Sequence, residues 1–124
     1  MKPFISSMQA ALALGLLVAG CAASQVPATT ISASQTAIRT AEAAGAGIDP
    51  KAALHLSMAR TEYNQARQLI VQEDTHKAEL VLARASSDAQ LAYALARAAS
   101  AKAEAEHTMD EIRALQASPQ LSPR

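Results

Sequence analysis

The chain has 124 residues, with eleven Lys and Arg balanced by eleven Asp and Glu. That balance removes the electrostatic case for nucleic acid or for a polybasic membrane surface. Alanine fills 31 positions, and the aromatics are Phe4, Tyr63 and Tyr93. This disfavours a β-sandwich or barrel, which needs β-branched and aromatic residues, and favours helix.

Residues 1–20 read as an export signal. Lys2 supplies a positive start, and Ala10 to Ala19 form an apolar stretch. The stretch is shorter than the roughly 20 residues a membrane-crossing helix needs, and its pattern is that of a secretory signal peptide. It runs into Leu17, Val18, Ala19, Gly20 and Cys21. That run resembles a bacterial lipobox, with a branched apolar residue, small residues and then cysteine. The resemblance implies cleavage before Cys21 and attachment of lipid to its thiol and its new amine. Several acyl chains give lasting anchorage, because each buried methylene is worth about 0.8 kcal/mol. Ala22 follows, rather than the Asp that usually retains Gram-negative lipoproteins at the inner membrane. The implied location is the periplasmic side of the outer membrane, with the lipid as the membrane partner. Cys21 is the only cysteine, so no internal disulfide is expected.

Residues 21–30 then form the lipidated cysteine and a flexible tether. The span 31–116 is expected to be helical throughout, and 117–124, with Pro119 and Pro123, to fray. Two interruptions divide the span into helices at about 31–45, 50–72 and 75–116. In the first, Gly45 or Gly47 can end a helix, Asp49 can cap the next and Pro50 suits its first position. In the second, Asp74 or Thr75 can cap.

The two longer segments carry matching seams at heptad spacing: Ala52, Leu56, Ala59, Tyr63, Ala66, Ile70, and Ala78, Leu82, Ala85, Ala89, Ala92, Ala96. Paired antiparallel about Asp74, large residues always meet small ones, so the helices can approach closely without voids. The predicted fold is all-α, a long antiparallel hairpin with an Ala-rich seam. The first helix either extends the shorter arm past a kink, setting Ile38 near Ile112 and Ala41 near Met109, or folds back into a three-helix bundle. Leu54, Met58, Leu80 and Leu91 fall outside the seam and Tyr93 beside it. They are the candidate partner face. The core is thin in large side chains, which predicts marginal stability alone and a gain from a homo-oligomer or a protein partner.

Little suggests catalysis, a cofactor or a metal. His55, His76 and His107 are scattered singly, and His107 with Asp110 and Glu111 reads as a solvated helix face. Ser86, Ser87 and Asp88 lack a neighbouring base, and no phosphate-binding glycine loop is present. The expectation is a protein that is not an enzyme.

The order of Glu42-Ala43-Ala44-Gly45, Asp49-Pro50, Ala59-Arg60, Tyr63, Ala66-Arg67, Asp74, Lys77-Ala78 and Asp88-Ala89, together with the lipobox, resembles a bacterial envelope family. It is the one called domain of unknown function 4398. The resemblance spans roughly residues 30–115. It implies a small secreted lipoprotein, and an OmpA-like or other envelope protein as candidate partner, since some members are joined to an OmpA-like domain. It transfers no catalytic residue. A second likeness is to alanine-zipper murein lipoproteins, but those end in lysine, whereas this chain ends Ser122-Pro123-Arg124. The leading expectation is a structural or interaction lipoprotein. The alternative is a chaperone-like module that grips apolar clients in the periplasm.

Overall fold

A computed structural model describes residues 25–118. Among these residues the chain is all-α, with helices α1 (Ala28–Ala43), α2 (Pro50–Val71) and α3 (Thr75–Ala117). Cys21 and the lipobox residues Val18, Ala19 and Gly20 lie outside the described residues, as do Pro119 and Pro123.

Helix α1 starts three residues before its expected position, within the stretch read as tether. Pro27 stands just ahead of it, where a missing N–H costs nothing, and its carbonyl accepts from Thr30 and Ile31. Val26 and Ile31 pack on Leu82 and its neighbours, so burial holds this end in the helix.

Both corners close by the same device. Helix α1 ends with Gly45 in the left-handed region at φ 81°. The N–H of Gly45 donates to Glu42 O and that of Ala46 to Ala41 O, the two bonds of a Schellman motif. Ala46 and Ala41 are fully buried together, as the apolar contact of that motif requires. At the second corner Glu73 takes the left-handed position at φ 60°, its N–H donating to Ile70 O and that of Asp74 to Leu69 O. Asp74 also caps α3, its carboxylate accepting from Lys77 N at 3.3 Å. One residue thus ends one helix and begins the next, which leaves a very short turn. Asp49 caps α2 with bonds from Lys51 N and Ala52 N at 3.0 and 2.9 Å, and Pro50 opens the helix.

Helices α2 and α3 form the expected antiparallel pair. Eight of its seam alanines, Ala52, Ala59, Ala66, Ala78, Ala85, Ala89, Ala92 and Ala96, are at most 3% exposed, as are Leu56 and Leu82. Tyr63 is half-buried and packs on both core clusters. Ile70, at the end of the seam, is also half-buried.

Helix α1 lies on this pair. Ser34 is buried, and its hydroxyl donates across to Leu82 O at 3.0 Å. Ile38 and Ala41 join Leu56, Ala59, Ala89, Ala92 and Ala96 in one cluster. The contacts expected had α1 extended the first arm are not made, since Met109 and Ile112 are exposed while Ile38 and Ala41 are buried. The physical reason is the corner: Gly45 reverses the chain, and the apolar side of α1 then buries itself on the alanine surface. Arg60 ties α1 to α2 through Glu42, with Nη2 and Nε at 2.6 and 3.0 Å from the same oxygen. Because that pair is exposed, it adds at most about 1 kcal/mol.

The two left-handed positions make opposite predictions. Glu73→Gly removes a side chain from a conformation that L-residues adopt at a cost of about 1 kcal/mol, and is expected to raise stability by about that much. Gly45→Ala is expected to lower it by a similar amount, since an added Cβ is strained at that φ and meets Ile48 Cδ1 at 3.4 Å. Urea denaturation followed by far-ultraviolet circular dichroism measures both, and equal midpoints for Glu73→Gly and the parent chain would refute the assignment.

Candidate functional site

Helical geometry decides how the candidate partner face is distributed. Successive residues turn by about 100°, so a side chain two positions from a seam residue points about 200° away from it. Leu54 stands two residues from Ala52 and Leu56, and Leu80 two from Ala78 and Leu82. Both are exposed, as are Met58 and Leu91. Leu54 and Met58 are carried by α2, and Leu80 and Leu91 by α3. The seam criterion finds side chains that point outward, and all four are exposed.

Tyr93 lines an open cleft of about 470 Å³ between α1 and α3, with Ser32, Thr36, Thr40, Ser86 and Gln90. Three of those hydroxyls are occupied or near partners of their own. Ser32 donates to Thr29 O, Thr40 to Thr36 O, and Ser86 Oγ lies 3.4 Å from Gln90 Nε2. Three other shallow clefts sit at the α2–α3 turn, on the outer side of α2, and at the α1–α2 corner.

The half-buried polar constellation between α2 and α3 is one that sequence spacing does not reveal. His55 and Glu62 on α2 meet Asp88 on α3. The imidazole Nδ1 lies 2.8 Å from Asp88 Oδ1 and donates to it. Glu62 is half-buried, and its Oε2 is buried without a hydrogen-bond partner. Burial, and then the neighbouring Asp88 carboxylate, push the Glu62 carboxyl above the usual glutamate range, while Arg84 pulls the other way. The three residues are 33, 26 and 7 positions apart, so only the pairing of the two helices collects them. None of the four clefts described above is lined by any of them. The His55–Asp88 pair acts as a polar clamp between the helices, with the Glu62 carboxyl beside it. Among the described residues, no group of three His, Cys, Asp or Glu suits a metal ion, and no helix is long and apolar enough to cross a membrane.

The family model described as a domain of unknown function (DUF4398) matches residues 29–108. The chain belongs to the DUF4398 family. The match takes in the three helices except the last nine residues of α3 and one residue at the start of α1, so the DUF4398 domain coincides with the bundle and the polar clamp inside it. No curated protein and no solved structure matches the chain.

At neutral pH an ionised Glu62 opposes folding, because its folded pKa is raised over the unfolded value of 4.5. Stability is therefore lost as pH rises through the folded pKa. Glu62→Gln keeps the shape, removes the charge and offers a donor to Asp88. It is expected to gain a few tenths of a kcal/mol at pH 7, the effect being limited by solvent screening. Below about pH 4, where Glu62 is protonated in both states, the gain should vanish. Thermal unfolding of both chains at pH 3.5 and 7 measures the difference, and a gain that does not depend on pH would refute the electrostatic account.

Proposed function

We propose that this DUF4398 chain is an outer-membrane lipoprotein, anchored through Cys21 on the periplasmic side, with a structural or protein-interaction role and no catalysis. The observation that carries the reading is the run Leu17-Val18-Ala19-Gly20-Cys21, with the only thiol of the chain at its end. Ala22 supports transfer to the outer membrane. The short span between Cys21 and Ala28, where α1 begins, would hold the bundle close to the bilayer at its α2–α3 turn, because Val26 lies beside Ile70, Glu73 and Asp74.

The interaction role rests on the exposed Leu54, Met58, Leu80 and Leu91. A few exposed apolar side chains suit docking against a defined envelope partner, an OmpA-like protein being the candidate. A chaperone-like grip on apolar clients needs a larger continuous apolar surface.

Cys21→Ser is expected to abolish incorporation of labelled palmitate and to move the protein from the outer-membrane fraction to the soluble periplasm or to an unprocessed precursor. Unchanged membrane fractionation of Cys21→Ser would overturn the anchor. A photo-crosslinking residue at Leu91 in the full lipoprotein is expected to give one discrete envelope adduct, identified by mass spectrometry. A smear of many proteins would favour the chaperone-like reading instead.

A further inference from the structure

Among the described residues, nothing packs on the distal end of α3. Helix α3 is 43 residues long, about 65 Å, whereas α2 has 22 residues. Every residue from 100 to 118 is exposed. The segment is nonetheless patterned. Ala105, Met109, Ile112 and Gln116 recur at steps of four, three and four, the spacing of a helix-pairing seam. The seam that faces α2 would continue instead through Ala99, Ala103, Glu106, Asp110 and Arg113, and so becomes charged. The apolar stripe thus shifts around the helix close to the level at which α2 begins.

The charges beside the stripe select its occupant. Glu106 follows Ala105, and Arg113 follows Ile112, so both flank the stripe on the same side. Two copies laid antiparallel set Met109 of each against Ile112 of the other, and Ala105 against Gln116. Two-fold symmetry then brings Glu106 of each beside Arg113 of the other, giving two opposite-charge contacts. A parallel pair would place Glu106 and Arg113 against the uncharged Ala101 and Thr108, with no such contact. The present partners of these charges are weak competitors: Lys102 to Glu106 at 3.8 Å and the exposed Asp110 to Arg113 pair lie on one helix.

Length fits as well. In this register Ala117 of one copy reaches the level of Glu104 of the other. The cleft at the α1–α2 corner is lined on α3 by Ala96, Ala99, Ser100 and Ala103, and residues 104–117 are all exposed. The overlap therefore falls within the exposed part of α3 in both copies.

We propose that residues 104–117 of α3 form an antiparallel pairing surface for the same residues of a second copy. Two segments of that length make an interface at the small end of specific contacts, under about 1,200 Å², so the dimer is weak and depends on concentration. The inference does not rest on lipid attachment. Where both copies are membrane-held, confinement raises their effective concentration, and the pair forms a rod about 110 Å long with one anchor at each end.

The test places a photo-crosslinking residue at Met109 in the full chain in cells. The expected product has twice the mass of the chain, with the adduct mapped by mass spectrometry to residues 108–113 of the second copy. Glu106→Arg or Arg113→Glu alone should lower its yield about fivefold or more, by setting like charges opposite, and the two together should restore it. Circular dichroism confirms that the variants stay helical. Absence of the dimer, an adduct to a different protein, or a dimer indifferent to both single substitutions would each overturn the proposal while leaving the Cys21 anchor intact.

Discussion

Close approach between α2 and α3 is the constraint on which everything else in this molecule depends. Where two helices meet through leucines, side chains separate the backbones. Here eight of the seam positions are fully or almost fully buried alanines, and the large residues Leu56 and Leu82 are each buried in a cluster with alanines. Packing of that kind gains many short contacts between small groups, and it leaves little tolerance for change in volume. It also keeps the helix surface shallow enough for Ser34 of α1 to reach the carbonyl of Leu82 on α3. The third helix is therefore held by a small apolar side and a backbone hydrogen bond rather than by a block of large side chains.

Tight packing requires tight corners. Two Schellman motifs reverse the chain within a few residues, one on glycine and the other on a glutamate in an unfavourable conformation. Asp74 serves both helices at its corner, and its bond from the Lys77 side chain at 2.7 Å holds its carboxyl below the usual aspartate range. The polar clamp of His55 and Asp88, with Glu62 beside it, sits at the edge of the same α2–α3 contact. It adds direction to an interface that alanine alone leaves prone to sliding along the helix axis, because one methyl resembles the next.

The bundle ends where α2 begins and α1 turns, but α3 does not. An Ala-rich helix already nucleated by a packed segment can propagate into solvent, since each added residue gains a hydrogen bond without a new nucleation cost. The result is a molecule with a packed half and a bare projecting half. Its exposed apolar groups are divided between single leucines on the bundle and a stripe on the projection. The DUF4398 match covers the packed half and the start of the projection.

The sequence by itself determined the helices, their caps and the α2–α3 seam. Those features are local or periodic: Asp49-Pro50, Asp74 and the four-three spacing of alanines each carry their meaning within a turn or two of helix. Gly45 was legible as a stop, but the stop did not say where α1 goes next. Tertiary structure alone decided that α1 lies on the hairpin, because its burial of Ser34, Ile38 and Ala41 depends on a surface built by residues up to sixty positions away. It also decided that Val81 is core. The clamp of His55 and Asp88, with Glu62 beside it, became visible only there, since a polar residue on a helix face reads as solvated until a second helix is set against it.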